Sequence, residues 1–199
     1  MTFLSPQFFC FFPVTVLVFY LLPRRAKNLW LLLASWFFYL CAKPVYLAFL
    51  LFAVAVSYAA GRLLEQKERR NRKTVVVLAL VLVFGVLFVL KYLNFALNLA
   101  GQALNALGFD YSAPVLDLLL PLGISFYFFQ AMGYVIDVYR GKTRAEHDFL
   151  LYSLFVSFFP QLLSGPIGRS YELLPQFRAE HPFDYDDFRV GLLRFLWGA

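Results

Sequence analysis

Long apolar runs constrain the fold of this chain more than any other feature. Val45–Leu64 and Leu116–Val138 are long enough to cross a bilayer as helices, which takes about 20 residues. Shorter runs predict helices that are tilted or packed against others: Phe8–Leu22, Leu29–Cys41, Val75–Leu90 and Phe149–Leu163. Hydrophobic residues form 61% of the sequence. We therefore predict an all-α, polytopic helical membrane protein with about five to six membrane-embedded helices.

Basic residues cluster in alternate connections between these runs. If the runs cross the membrane in turn, twelve basic residues fall on one face and only Lys43 and Lys91 on the other. The twelve are Arg24, Arg25, Lys27, Arg62, Lys67, Arg69, Arg70, Arg72, Lys73, Arg140, Lys142 and Arg144. An excess of Lys and Arg marks the cytoplasmic side. This predicts a multi-pass protein with its N-terminus outside and a basic cytoplasmic loop at 65–73, and it explains the net charge of +6 without a nucleic-acid partner.

The stretch Asn94–Ala113 has the pattern of an amphipathic helix. Its polar residues recur at helical spacing among Leu and Ala: Asn94, Asn98, Gln102 and Asn105. We predict a helix in the outer membrane interface that ends at Gly108. The alternative, a further membrane crossing, would reverse the side of every later segment and remove the charge bias.

Polar residues interrupt the apolar run at Leu116–Val138. Phe126, Gln130, Tyr134 and Asp137 share one predicted helical stripe, and an amide such as that of Gln130 needs a partner because hydrocarbon offers none. Asp137 is also spaced to pair with Arg140. Two interpretations remain open: the stripe lines a polar path, or Gln130 joins helices while Asp137 and Arg140 fix the helix end.

The segment 160–182 is rich in helix breakers. Pro160 is predicted to stop a Phe149–Phe159 helix, and Ser164-Gly165-Pro166-Ile167-Gly168-Arg169 follows. Irregular backbone at membrane depth is tolerated where it lines a cavity or is covered by protein, which predicts a re-entrant or broken segment; an ordinary surface loop is the alternative. The candidate tunnel or substrate-path residues are Gln130, Asp137, Arg140, Gln161, Ser164, Gly165, Pro166 and Arg169.

Cysteine and histidine give no catalytic or metal signature. Cys10 and Cys41 lie in apolar runs without metal-ligand spacing, so we predict buried free thiols and no metal site. His147 and His181 lie in polar stretches. We predict that both are surface residues, because neither sits on an apolar helix beside an acidic residue that would orient it as a general base.

Two blocks of this sequence resemble the membrane-bound O-acyltransferase family: PLGISFYFFQAMGYVIDVYRGK and LFVSFFPQLLSGPIGRSYELLPQF. Within it, the branch that looks most similar is the membrane subunit of bacterial alginate O-acetyltransferases. LLPRRAKNLWLLLASWFFYL and VLKYLNFALN also resemble that branch. The resemblance implies that residues 1–199 are a single membrane domain, the amino-terminal part of that fold.

The resemblance also implies a function. Family members in bacterial cell membranes take an acyl group from a cytoplasmic thioester, such as acetyl-CoA, and bind no resident cofactor. They deliver the group to an extracytoplasmic polysaccharide, often with an exported partner enzyme. The family's catalytic histidine lies downstream of the second block, and neither His147 nor His181 occupies its position. The chain alone is therefore predicted to hold no catalytic residue and to be inactive.

Two other classes of protein compete with the enzyme. A membrane scaffold or partner-binding fragment could keep the helices without the chemistry. A transporter-like conduit would also contain broken helices and intramembrane polar residues. Transporters often carry paired internal repeats, however, and the Gly165-Pro166 break has no counterpart in the first half of the sequence.

Overall fold

The part of the chain that the structure describes is mostly helical. The computed structural model covers residues 6–41, 43–66, 69–106, 123–162, 165, 168–180 and 182–198, and no strand occurs in these ranges. The helices are α1 (Pro6–Leu21), α2 (Arg24–Leu40), α3 (Pro44–Gln66), α4 (Arg69–Ala106), α5 (Ile124–Tyr139), α6 (Phe149–Ser157), α7 (Phe159–Leu162), α8 (Ser170–Arg178) and α9 (Tyr185–Gly198). The all-α prediction is confirmed.

Two of the described helices are long and apolar enough to cross a membrane. They are α3, with mean hydropathy 1.9, and the stretch Asn71–Leu93 of α4, with mean hydropathy 2.8. Large apolar side chains on α4 also point away from the protein: Val77, Leu78, Val81, Leu82 and Phe88. A continuous apolar surface of this kind fits contact with lipid rather than water. The protein is thus a helical membrane protein, while the number of membrane-embedded helices stays a prediction.

The core forms where α3, α5 and α6 meet. Leu50 and Val54 of α3, Phe128 and Val135 of α5, and Phe155 of α6 are all fully buried. Gly61 lets α3 approach α5 closely, because a Cβ atom there would lie 2.6 Å from the hydroxyl oxygen of Tyr134. This packing fixes α5 and α6 side by side.

Segment 149–178 enters the bundle and returns to the same end. We call it the re-entrant segment. Its inner part reaches far along α2, where the backbone N–H of Phe159 donates to Ser35 Oγ at 3.2 Å. Ser35 lies eleven residues beyond Arg24, or about 16 Å along the helix.

The second arm of the re-entrant segment is α8. It ends beside the first turn of α2, where Asn28 Nδ2 donates to the carbonyl of Phe177 at 3.0 Å. Arg178, the last residue of α8, contacts Glu146, which lies just before α6. The entry and the exit of the segment are therefore neighbours.

The structure corrects two predictions about α4. Residues 94–106 continue α4 instead of forming a separate interfacial helix, since polar residues at helical spacing fit one long helix as well as a short one. Gly108 lies outside the described residues. The predicted loop 65–73 is mostly helix, because α3 runs to Gln66 and α4 begins at Arg69.

The predicted break also falls at a different residue. The helix ends at Ser157, and Phe158 breaks it with φ −56° and ψ 109°. Pro160 lies in the first turn of α7, where its missing N–H removes no helical hydrogen bond. The predicted broken stretch 160–182 moreover contains the nine residues of α8, so it is less irregular than expected.

Candidate functional site

The basic connections come together at one end of the helix bundle. The side chain of Arg72, near the start of α4, donates to the carbonyls of Val138 and Tyr139 at 3.1 and 3.2 Å. Arg24, at the start of α2, forms an ion pair with Glu180 just after α8. We call this the basic end: the region where α2 and α4 begin and where α3, α5 and α8 end.

Glu146 is the centre of a hydrogen-bond network at the basic end. Its side chain is only 4% exposed and accepts two hydrogen bonds from Arg178, at 2.6 and 2.7 Å. It also accepts from the backbone N–H groups of His147 and Asp148 at 2.9 and 3.1 Å. The backbone N–H of Glu146 donates to Tyr134 Oη at 2.9 Å. The network joins α5, the connection 140–148 and the exit of the re-entrant segment.

His147 is exposed, as predicted, but it does have an acidic neighbour. Its Nε2 lies 2.7 Å from a carboxylate oxygen of Glu65 at the end of α3. Arg62 contacts the other ring nitrogen, and Tyr58 Oη donates to the His147 carbonyl at 2.8 Å. Local sequence could not show this partner, because the carboxylate lies 82 residues away in the sequence. These contacts attach the connection 140–148 to α3.

Polar side chains inside the bundle form hydrogen bonds between helices. Gln130 is buried, and its Nε2 donates to the carbonyl of Phe155 at 2.8 Å, which joins α5 to α6. Tyr152 Oη donates to Ser57 Oγ at 2.6 Å, which joins α6 to α3. The bond of Gln130 matches its interhelical interpretation, and a role in a substrate path stays a prediction.

Burial differs among the members of the predicted stripe. Tyr134 and Asp137 are buried like Gln130, whereas Phe126 is 40% exposed. No ion pair joins the described side chains of Asp137 and Arg140. Arg140 is exposed and forms the C-cap of α5, so the expected pairing is not made.

The break of the re-entrant segment needs glycine at two positions. A Cβ atom on Gly165 would lie 2.6 Å from the Cα of Gln161, whose carbonyl accepts from the Gly165 N–H at 3.2 Å. A Cβ atom on Gly168 would lie 2.7 Å from Gln161 Oε1. That oxygen is buried, and no described residue forms a hydrogen bond with it. Arg169 is exposed at the N-cap of α8. Ser164 and Pro166, like His181, fall outside the described residues.

A cavity of about 1090 Å³ opens beside the re-entrant segment at the basic end. Aromatic side chains of α1 and of the break line it, among them Phe12, Phe19, Phe158 and Phe159. Most of its polar lining comes from α2 and α8, together with Thr15 of α1 and Glu180 just after α8: Arg24, Arg25, Lys27, Asn28, Gln176 and Arg178. The six described candidate path residues do not line it. An apolar interior with a cationic mouth suits a long ligand that carries an anionic group at one end.

Several contributors to this region escaped the sequence analysis. Arg25 was counted only among the basic residues, and Asn28 and Ser35 were polar residues of a block of resemblance that were not singled out. Arg178 lay just after the second block, and the polar stretch around Glu146 gave no sign that its carboxylate is buried. The thiols of Cys10 and Cys41 are exposed rather than buried, because they lie on the outer surface of the bundle. Among the described residues, no group of three or more potential ligands could hold a metal ion.

The chain is similar along nearly all of its length to bacterial O-acetylating proteins. It is 34% identical over 96% of its residues to a probable alginate O-acetylase of Pseudomonas aeruginosa, and covers 36% of that protein. It is also 34% identical to a probable alginate O-acetylase of Azotobacter vinelandii, over 96% of its own residues and 38% of that protein. It is 31% identical to a peptidoglycan O-acetyltransferase of Helicobacter pylori, over 98% of its own residues and 42% of that protein.

The similarity concerns only part of these relatives, since the chain spans about 36% to 42% of their length. No family model and no solved structure matches. The relatives nevertheless cover both blocks that carry the resemblance and agree on one chemical class. Along nearly its whole length, the chain is therefore similar to members of the membrane-bound O-acyltransferase family.

Proposed function

We propose that this chain is part of a membrane O-acetyltransferase. It receives an acyl group from a cytoplasmic thioester and serves its transfer to hydroxyl groups of an extracytoplasmic polysaccharide. The similarity of 96% of the chain to proteins named alginate O-acetylase is the observation that carries this proposal. Relatives are named for alginate and for peptidoglycan, which supports a carbohydrate polymer as the acceptor class.

The proposed topology puts the basic end in the cytoplasm of a bacterial cell. The protein crosses the cell membrane several times, with its N-terminus outside. Arg72 against the end of α5 and Arg24 against Glu180 support one common basic face. Such a face attracts anionic donors. The re-entrant segment then enters from the cytoplasm, reaches deep into the bundle near Ser35, and returns to the cytoplasmic end.

The cavity is the proposed entrance for the acyl donor. Acetyl-CoA and related thioesters combine phosphates with a long neutral arm. Arg25 lines the cavity and forms no ion pair among the described residues, so its guanidinium is available to a phosphate. The aromatic wall at Phe158 and Phe159 suits the neutral arm. Transfer itself needs a general base, and neither His147 nor His181 occupies the family's catalytic position.

The test separates binding from turnover. The purified chain, reconstituted in neutral-lipid nanodiscs, is exposed to a photo-crosslinking analogue of acetyl-CoA. We expect labelling of peptides from α1 and α2 that excess CoA prevents. Arg25→Gln should weaken labelling about threefold to tenfold, because Arg25 is exposed and its bond to a phosphate is screened by water to about 0.5–1.5 kcal/mol. Lys43→Gln, at the opposite end of α2, removes the same charge and should change little.

A second measurement uses labelled acetyl-CoA and alginate or peptidoglycan fragments. We expect no acetyl transfer by the chain alone above a blank without protein. Transfer above that blank would contradict the inactivity of the isolated chain. Absence of competable labelling would contradict the donor site and favour a membrane scaffold. An exported enzyme that co-purifies with the chain and leaves the labelling intact would support the proposed partner class.

A further inference from the structure

A second, smaller cleft lies between the connection 140–148 and α8. Its volume is about 210 Å³, below the roughly 300–1,000 Å³ typical of pockets that enclose a whole small molecule. It has room for one compact group. Its lining differs from that of the large cavity, with which it shares Arg178.

Ser170 provides the strongest indication of a ligand in this cleft. It is the first residue of α8, is only 2% exposed, and lines the cleft. Its hydroxyl oxygen is buried and has no hydrogen-bond partner among the described residues. Buried polar atoms in native proteins almost always have a partner, so an external group that bonds this hydroxyl would complete the site.

The charges around the cleft favour an anion. Arg144 lines it, is exposed, and forms no ion pair among the described residues. Arg178 lines it as well, and Glu146 balances one of these two positive charges through its two bonds to Arg178. Thr143 contributes a further hydroxyl group. One uncompensated positive charge remains.

The first turn of α8 adds to this field. The nine-residue helix starts without a side-chain cap at Arg169, and a helix N-terminus carries a partial positive charge with N–H groups that suit phosphate. Glu172 in the same turn is negative, but it does not line the cleft. Hydroxyl, guanidinium and helix N-terminus are together the usual set of donors to a phosphate group.

We infer that this cleft binds a single phosphate group, held by Ser170 and Arg144 at the start of α8. The group belongs either to an anionic phospholipid at the membrane face or to a soluble phosphate compound. The inference does not rest on acyl transfer. A phosphate here would bridge the connection 140–148 and the exit of the re-entrant segment.

The test uses inorganic phosphate as the probe. The purified chain in nanodiscs of a neutral lipid is titrated with phosphate, and binding is followed by ³¹P NMR line broadening. We expect saturable binding. Arg144→Gln and Ser170→Ala should each weaken it by roughly 10- to 100-fold, as for lost hydrogen bonds to a charged group. Lys142→Gln, on the same connection but outside the cleft, should change it less than twofold.

Thermal unfolding separates a binding role from a structural one. Because the Ser170 hydroxyl has no partner within the described protein, Ser170→Ala should leave the unfolding temperature without phosphate unchanged and reduce only the shift caused by phosphate. Nanodiscs containing phosphatidic acid identify the source. If an anionic lipid is the natural ligand, it occupies the cleft in these nanodiscs, and soluble phosphate no longer binds to the protein. If soluble phosphate binds as tightly as it does in neutral lipid, the natural ligand is a soluble phosphate compound.

Two results would overturn the inference. One is no saturable phosphate binding by the wild-type chain in neutral lipid. The other is an equal loss of binding in Arg144→Gln and Lys142→Gln, which would reduce the effect to general surface charge. Neither result bears on acetyl-CoA labelling in the large cavity, so the two proposals fail separately.

Discussion

The contact between Glu146 and Arg178 should contribute strongly to the stability of the protein. Glu146→Ala removes the acceptor of two backbone N–H groups and of two bonds from Arg178. A bond to a charged carboxylate contributes about 1.5–3 kcal/mol. His147 and Asp148 are exposed, so their N–H groups can bond to water in the variant, and the loss is reduced to about 1 kcal/mol for each. Arg178 is 59% exposed and can return to water, so its share is reduced to about 1 kcal/mol. The expected total is about 3 kcal/mol.

The assay is thermal unfolding of the purified chain in detergent. For a chain of this size 1 kcal/mol corresponds to a shift of about 2–4 °C, so Glu146→Ala should lower Tm by about 6–12 °C. The control is Glu180→Gln, which removes an ion pair to Arg24 whose two side chains are 66% and 67% exposed. That change should lower Tm by less than about 4 °C, because exposed pairs contribute 0–1 kcal/mol. Equal shifts for the two variants would refute the reasoning.

Two further substitutions test the packing of α5. Gly61→Ala places a Cβ atom against the fully buried ring of Tyr134 and should destabilise the protein by about 1–3 kcal/mol in detergent unfolding. The control is Gly133→Ala, because a Cβ atom there meets no other side chain within 4 Å, and this variant should not be destabilised. Gln130→Leu removes the bond to the Phe155 carbonyl and should cost about 0.6–1.7 kcal/mol by the same measurement. A neutral Gln130→Leu would contradict the interhelical role, and equal effects of the two alanines would contradict the close approach.

The sequence predicted the elements better than the contacts between them. Apolar runs predicted α1, α2, α3 and α6 because burial in lipid or core needs continuous hydrophobicity. Helix breakers predicted an interruption near Pro160. At the start of the last helix, the side chain of Asp184 accepts from the N–H groups of Asp186 and Asp187, which is the usual role of an Asp at that position. Local patterns of this kind need no tertiary information.

The contacts that build the basic end were not predictable in this way. Glu146 and Arg178 are 32 residues apart, and His147 and Glu65 are 82 apart. Nothing in local spacing pairs them. The length of α4 was also missed, because a change from apolar to polar composition does not interrupt a helix whose periodicity continues. The candidate path residues remain a prediction, apart from the interhelical bond that Gln130 makes.

Thiol accessibility in cells tests the re-entrant fold most directly. Cys10 and Cys41 are first replaced by Ser, and single cysteines are placed at Lys142, Glu180 and Lys43. A membrane-impermeant maleimide is added to intact spheroplasts and to inverted vesicles. We expect labelling at 142 and 180 only in inverted vesicles, and at 43 only in spheroplasts. Labelling of 142 and 180 from opposite sides would contradict a segment that enters and leaves at one end of the bundle.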